Sequence, residues 1–299
     1  MLTVVIPATD HPPSLRRCLD ALARGDEPCD IEVVTAPRGS GPAAARNAGV
    51  ARTTGEIVVF VDSDVEVHPD ALRRLRERLD ADPQLAAVFG CYDEHPAARE
   101  TVSRFRNLLH HHVHAGSPGE AQTFWAGLGA IRREAFDAVG GFDAQRFPRP
   151  SIEDVELGLR LRATGRRIAL DPAVRGTHLK RWTLRSMLRT DLAGRGAPWV
   201  ALALERRGAG TALNLSWRQR TAAASALGTV AALALGRPRV SAAALLAMIC
   251  SNMSFYVLLG RQGGTRLALA GVPLHLLHHL TAAVSVPVGV ASWARAGRP

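Results

Sequence analysis

The chain contains little cysteine, almost no lysine and no apolar segment at its start. Its four cysteines, Cys18, Cys29, Cys91 and Cys250, show no paired spacing, so the sequence offers no disulfide framework and is typical of a reducing compartment. Because no apolar segment opens the chain, no cleavable signal peptide is expected. Lys180 is the one lysine among 37 basic residues, and the formal net charge is +10. No recognition motif accompanies that charge, so we expect no nucleic-acid partner.

Charged residues are missing from three stretches in the last third of the chain, residues 221–236, 240–260 and 267–292. The second and third are long enough to span a bilayer. The first is short. It could span the bilayer as a tilted helix or where the bilayer is thin, lie at the membrane interface, or form half of a hairpin. The sequence predicts a membrane region of two or three helices over residues 206–299, with a buried helical bundle as the alternative.

Basic residues dominate the segment just ahead of these stretches. Residues 175–220 contain ten arginines and lysines, against the two acids Asp191 and Glu205. By the positive-inside rule this segment stays on the cytoplasmic side, where it would hold the preceding domain against anionic headgroups. We therefore expect a multi-pass protein of the cell membrane with its first domain in the cytoplasm.

The first 205 residues follow an alternating pattern of strands and helices. Strands are predicted at 2–7, at 31–35 and from residue 57, and helices near 14–23, 43–51 and 69–79. Short links between such elements predict an α/β domain with a mostly parallel, doubly wound sheet. Ligands bind such sheets at the carboxyl ends of the strands.

Two acids, Asp62 and Asp64, follow the apolar strand that begins at Ile57. Carboxylates at the end of a strand buried on both faces are suited to holding a hard divalent cation. The alternative is a pair of acids that cap the turn before the next helix.

Six short motifs occur in one order over about the first 180 residues. They are Val5-Ile6-Pro7, Ala45-Arg46-Asn47-Ala48-Gly49, Gly55-Glu56 with Phe60-Val61-Asp62-Ser63-Asp64, Ile131-Arg132-Arg133, Gly140-Gly141-Phe142-Asp143 and Glu153-Asp154-Val155-Glu156-Leu157. In this order the sequence resembles the family 2 glycosyltransferases of the GT-A fold, which is Rossmann-like.

The resemblance implies a nucleotide-sugar donor whose diphosphate is held by Mn²⁺ or Mg²⁺. Asp62 and Asp64 would bind the metal, with donor contacts from Pro7, Asp10, Arg46 and Asp62. Asp154 matches the family's catalytic base, with Glu153 beside it, and direct displacement would invert the anomeric carbon. Taken without the resemblance, the acids at 153, 154 and 156 have a plain helix-capping cluster as the alternative.

Three more residues follow from the resemblance near the end of this domain. His178 matches a histidine that contacts the metal or diphosphate in many such enzymes, although a lone histidine is often structural. His178 to Trp182 also resembles the Gln-x-x-Arg-Trp element of membrane glycosyltransferases, with histidine in place of glutamine. Arg181 would then clamp phosphate and Trp182 would stack on a sugar or acceptor.

The acceptor side is predicted between Asp64 and Glu153. Trp125 offers an indole face for a sugar, and Gly127 lets a substrate approach the backbone, with ordinary core packing as the alternative. Four histidines at 110, 111, 112 and 114 lack the spacing of a defined metal site, and they are expected in a polar loop or a membrane-facing helix.

The whole sequence predicts a GT-A catalytic domain at 1–205 and a membrane region at 206–299. The expected function is transfer of a sugar from a nucleotide-sugar donor to a lipid-linked or cell-envelope glycan acceptor. The alternative is a membrane scaffold or binding protein of the same fold without catalysis, because residues 35–40 lack the acids that read the nucleotide base in the family.

Overall fold

The computed structural model describes residues 1–9, 12–35, 41–206 and 217–296. The chain forms two compact units, the first from Met1–Ala98 with Val113–Lys180, and the second from Arg99–His112 with Arg181–Pro299. This division differs from the predicted boundary at residue 205, since residues 181–205 and a segment near residue 100 belong to the second unit.

A mixed sheet forms the centre of the first unit. Its described strands are β1 (Leu2–Pro7), β2 (Asp30–Val34), β3 (Ile57–Val61), β4 (Val65–Val67), β5 (Leu85–Tyr92), β6 (Gly119–Ala121), β7 (Leu128–Arg132) and β8 (Arg167–His178). The order is β2-β1-β3-β7-β5-β8-β4, and β6 pairs with β8. Strands β1, β2, β3, β5 and β8 run in one direction, while β4, β6 and β7 run against them. The expected α/β sheet with mostly parallel strands is confirmed.

Helices connect many of the strands and form most of the described part of the second unit. The described α-helices are α1 (Leu15–Ala23), α2 (Pro42–Ala51), α3 (Ala71–Ala81), α4 (Thr101–Ala115), α5 (Arg133–Ala138), α6 (Glu153–Ala163), α7 (Leu184–Arg189), α8 (Ala197–Glu205), α9 (Trp217–Ala234), α10 (Pro238–Ser251) and α11 (Met253–Arg295). A π-helix, Thr190–Gly196, lies between α7 and α8. The strands and helices predicted in the first 80 residues all form, within about two residues of their expected limits.

Burial explains why these segments become strands and helices. Every residue of β1, β3 and β5 is buried, as expected of strands covered on both faces. Helix α3 buries Ala71, Leu72, Leu75 and Leu79, a spacing that places them on one helical face. That face packs on the core formed with β1, β3 and β5.

The second predicted membrane run, 240–260, is not one helix. Helix α10 ends at Ser251, and Asn252 adopts φ −121° and ψ 23° before α11 begins. The side-chain amide of Asn252 donates a hydrogen bond to the Met248 carbonyl oxygen. Side-chain bonds of this kind compete with helix continuation. With 14 residues, α10 is about 21 Å long, which is less than the roughly 30 Å of a bilayer core.

Helix α11 is long and apolar enough to cross a membrane by length and composition, and it is the one such helix among the described residues. Gly264, with φ 69°, interrupts its helical geometry. Exposed large apolar side chains are concentrated in residues 217–290, including Leu233, Leu235, Leu246 and Leu269 at 59–72% exposure. Such an apolar surface is typical of a membrane or protein contact.

Buried charges join the helices inside the second unit. Arg106 of α4 forms an ion pair with Asp191 of the π-helix at 2.8 Å, and Asp191 lies 2.9 Å from the His278 ring of α11. Asp191 and Arg106 are both buried. The acid thus satisfies two groups from different helices, as a buried charge requires.

Candidate active site

The strands that run in one direction bring the predicted site residues to one edge of the sheet. Pro7 ends β1 and His178 ends β8, while Asp62 and Asp64 follow β3. The Asp62 amide donates to the Gly127 carbonyl oxygen at 3.0 Å, and the Leu179 amide donates to the Asp64 carbonyl oxygen at 2.8 Å. The segment with the two acids is therefore held by the residue before β7 and the residue after β8. Asp10 lies outside the described residues.

Arg46 joins two acids that are far apart in sequence. One terminal guanidinium nitrogen donates to Asp62 at 2.7 Å, and the other donates to Glu153 at 3.0 Å. Arg46 and Glu153 are 4% and 5% exposed, so this is an interior ion-pair network. The guanidinium also lies over the Phe142 ring, 5.4 Å from its centroid. Arg46 thereby holds the start of α6 beside the carboxyl end of β3.

Asp154 lies in the first turn of α6, next to Glu153. One of its oxygens accepts a hydrogen bond from the Ala126 amide at 3.2 Å, and the other accepts from the Val155 amide at 2.8 Å. Acids are stabilised at a helix amino terminus. These bonds fix the position of the carboxylate predicted to be the base.

The predicted metal ligands separate into two groups. His178 Nε2 lies 3.7 Å from an Asp64 oxygen, whereas an Asp62 oxygen bonds to Arg46. Among the described residues, no three side chains of the His, Cys, Asp and Glu types converge as a metal site. The Asp64 carboxylate fits Mn²⁺ or Mg²⁺ as an oxygen ligand, and the His178 imidazole beside it could add a nitrogen ligand to a transition metal such as Mn²⁺. The expected convergence of Asp62 with this pair is not seen.

The two acids of the motif have different electrostatic surroundings. Desolvation opposes ionisation of Asp64, but His178 and the charge of Lys180 outweigh it and hold the pKa of Asp64 below its usual value. Desolvation raises the pKa of Asp62, with Arg46 opposing and Asp64 reinforcing the shift. Asp64 is therefore the acid better prepared to meet a cation as a carboxylate.

Asn47 of α2 binds the glycine-rich motif Gly140-Gly141-Phe142-Asp143. Its side-chain amide donates to the Phe142 carbonyl oxygen at 2.8 Å, and its side-chain oxygen accepts from the Phe142 amide at 2.9 Å. Gly140 and Gly141 have φ of 74° and 70°, values that favour glycine. A Cβ on Gly141 would lie 2.8 Å from the Asn47 side-chain oxygen. Sequence reasoning assigned no role to Asn47, although its place beside Arg46 in a family motif was a signal.

We expect Asn47→Ala to destabilise the first unit, because both Phe142 backbone groups lose their partner. The expected loss in the free energy of unfolding is about 2 kcal/mol, measured by denaturant titration of the purified protein. Asn47→Asp is the matched variant, since it keeps the bond to the Phe142 amide, and it should lose less. Equal stability of Asn47→Ala and the unsubstituted protein would contradict this role.

The two arginines of the Ile131-Arg132-Arg133 motif donate hydrogen bonds to backbone carbonyl oxygens. Arg132 donates to the carbonyl oxygens of Leu85 and Leu79 at 2.9 and 2.6 Å. Arg133 donates to the Gly55 carbonyl oxygen at 2.6 Å and to the Val50 carbonyl oxygen at the end of α2 at 3.1 Å. Both arginines therefore stabilise the sheet and the end of α2, without a place in the site.

Trp125 and Gly127 are packed against each other. A Cβ on Gly127 would lie 2.4 Å from a carbon of the Trp125 ring, so the glycine makes room for that indole. This arrangement differs from the expectation that Gly127 lets a substrate approach. The Trp125 ring is half-buried and packs edge to face on Tyr92, with centroids 4.9 Å apart. Gly127 therefore follows the alternative given in the sequence analysis, which is ordinary core packing.

Arg181 and Trp182 belong to the second unit. Arg181 is exposed and forms an ion pair with Glu100 at 2.7 Å. Trp182 is 6% exposed, and its backbone amide donates to the Ser103 hydroxyl at 2.8 Å. Its indole also packs under the Arg106 guanidinium, 5.7 Å from the ring centroid. The predicted stacking of Trp182 on a sugar is therefore not supported by its burial.

Comparison with known proteins agrees with this fold. Residues 26–140 match the family model Glycosyl transferase family 2. A pre-mycofactocin glycosyltransferase of Mycobacterium tuberculosis is 30% identical over 213 residues, which cover 62% of this chain and 44% of the relative. The succinoglycan biosynthesis protein ExoM of Rhizobium meliloti is 28% identical over 171 residues, covering 57% and 54%. The chain thus spans about half the length of these curated relatives.

A solved structure shares the fold. The mannosyltransferase PcManGT of Pyrobaculum calidifontis, solved with GDP-Man and Mn²⁺, superposes with a TM-score of 0.56 at 20% identity, covering 96% of this chain and 86% of its own. The fold is GT-A, with acids after β3 and an acidic start to α6. Residues 26–140 thus match family 2 of the glycosyltransferases, and the chain is similar to members of that family.

Proposed function

We propose that the protein is a membrane-associated, inverting glycosyltransferase that uses a nucleotide-sugar donor. The observation that carries this proposal is the Arg46 bridge, which sets Glu153, and with it Asp154, beside the acids that follow β3. The Arg46 bridge thus joins the residue next to the proposed base to the segment that follows β3. Such a juxtaposition is what displacement at a sugar carbon requires.

The donor region is formed by Asp64, His178 and Asp62. Asp64 and His178 would hold Mn²⁺ or Mg²⁺, which would neutralise the diphosphate charge that grows as the glycosidic bond breaks. Asp62, oriented by Arg46, faces the same edge of the sheet and is available to donor hydroxyls. The Mn²⁺ in the structure of the Pyrobaculum calidifontis mannosyltransferase is in keeping with this cation.

Asp154 serves as the base in this proposal. It takes the proton of the acceptor hydroxyl while the acceptor oxygen bonds to the anomeric carbon. The bond from that carbon to the diphosphate oxygen breaks at the same time, and its electron pair leaves with the nucleoside diphosphate. One displacement inverts the anomeric centre. Glu153 is neutralised by Arg46 and stays a positioning group.

Metal-dependent donor binding tests the proposal. The purified full chain is titrated with UDP-, GDP- and dTDP-sugars in the presence of Mn²⁺, Mg²⁺ or chelator. We expect one donor class to bind with metal and to lose affinity with chelator. Asp64→Ala and His178→Ala should lose that binding, whereas Glu134→Ala, an exposed acid paired with Arg166, should not. Absence of binding to every donor would favour the non-catalytic scaffold.

The acceptor is proposed to be a lipid-linked or cell-envelope glycan. The apolar exposed surface of residues 217–290 and the length of α11 support a membrane location. The basic segment 175–220 supports a cytoplasmic catalytic domain.

We expect the full chain to stay with membranes under alkaline carbonate, because the exposed apolar side chains need lipid. The measurement is the fraction of protein in the membrane pellet at high pH, beside a peripheral and an integral protein of the same cells. Release into the supernatant would contradict integral insertion and would leave the donor site unaffected.

A further inference from the structure

A tyrosine ring lies flat against the imidazole of the proposed metal ligand. The centroids of Tyr92 and His178 are 4.1 Å apart, and their planes differ by 11°. Tyr92 ends β5 and His178 ends β8, two parallel neighbours in the sheet. The two residues are 8% and 4% exposed, so their rings have little space in which to tilt.

Two further aromatic rings support this pair. The Trp125 indole packs edge to face on Tyr92, with planes at 87°. His114 packs edge to face on Trp125, with centroids 5.4 Å apart. His114 Nδ1 lies 3.3 Å from the Gly90 carbonyl oxygen. Tyr92 is therefore held between its strand and a packed ring, and it cannot turn without displacing Trp125.

We infer that Tyr92 is a positioning residue that sets the plane of the His178 imidazole and so aims Nε2 at Asp64. The torsion that turns an imidazole is broad and roughly two-fold, so a ligating histidine needs a neighbour that fixes its plane. Here the parallel Tyr92 ring restricts rotation of the imidazole, and groups that orient a ligating histidine in this way tune metal binding. This inference rests on the proposed function and adds to it a residue that the family motifs do not contain.

The test measures Mn²⁺ binding to the purified full chain by electron paramagnetic resonance, with the metal alone and no donor. Tyr92→Leu removes the ring, and Tyr92→Phe keeps it. Loss of partners that orient a ligand lowers metal affinity about 10–100-fold, and we expect that loss in Tyr92→Leu and in His178→Ala. Tyr92→Phe should bind as the unsubstituted protein does. Tyr256→Leu changes the chain's other tyrosine, in the second unit, and serves as the control.

The outcomes separate this inference from the proposed function. If His178→Ala loses Mn²⁺ while Tyr92→Leu keeps it, the positioning role is overturned and the metal site stands. If His178→Ala still binds Mn²⁺, the positioning role of Tyr92 and the proposed metal site are both overturned. Loss in Tyr92→Phe equal to that in Tyr92→Leu would also overturn the role of the stacked ring. If Tyr92→Leu does not fold, Tyr92→Met takes its place. Methionine also lacks a ring and is similar in volume to leucine, so the same loss of Mn²⁺ affinity is expected.

Discussion

Asp154→Asn should abolish sugar transfer while donor binding stays near its original strength. An amide cannot take the acceptor proton, and loss of a general base lowers the rate about 10²–10⁴-fold. The asparagine oxygen can still accept the hydrogen bond from the Ala126 amide, which Asp154 now receives at 3.2 Å. Its NH₂ group cannot accept the second bond, from the Val155 amide, so one of the two backbone contacts is kept and the shape of the side chain is preserved. The measurements are kcat for transfer and the dissociation constant of the donor.

The matched control is Asp137→Asn, which makes the same chemical change at an exposed position on α5. It should leave both quantities unchanged. If Asp154→Asn weakened donor binding and transfer to the same extent, Asp154 would belong to the donor site, and its role as base would be wrong.

Arg46→Met should be the most destabilising substitution in the network. It leaves Glu153, 5% exposed, and Asp62 without the guanidinium between them. Removing one partner of a buried ion pair costs about 3–5 kcal/mol. Arg46→Lys should recover only part of that loss, because one ammonium lacks the planar fork that reaches both acids. The free energy of unfolding in denaturant measures both variants.

A double-mutant cycle shows whether the loss comes from the unpaired acid. Glu153→Gln removes the charge that Arg46→Met leaves uncompensated. The double variant should therefore lose less unfolding free energy than the two single variants lose in total. Strict additivity would show that Arg46 and Glu153 do not interact. Both single variants should also lose transfer, since α6 would no longer be held beside Asp62.

The sequence predicted the parts of the fold that depend on local patterns. The apolar runs of β1 and β3 are buried along their whole length, so continuous apolar residues marked them. The acids at 62 and 64 follow such a run, which placed them at the carboxyl edge of the sheet. The start of α6 at Glu153 was likewise marked by its cluster of acids.

Other features depend on contacts between distant residues. Strand β7 is antiparallel to its neighbours β3 and β5. The direction of a strand relative to its neighbours cannot be predicted from a short apolar segment. Arg46 was expected to reach the donor, but its terminal nitrogens bond to Asp62 and Glu153. The burial of Trp182 and the break at Asn252 also follow from tertiary packing and from one side-chain hydrogen bond. Pattern reasoning from sequence does not see such contacts.

The most direct test of the account is release of nucleoside diphosphate from nucleotide sugars by the purified full chain. We predict release from one donor class in the presence of Mn²⁺ or Mg²⁺, none with chelator, and a rate in Asp154→Asn reduced to background. Release that is independent of metal and unchanged in Asp154→Asn, or no release from any donor together with no donor binding, would contradict the proposed transferase.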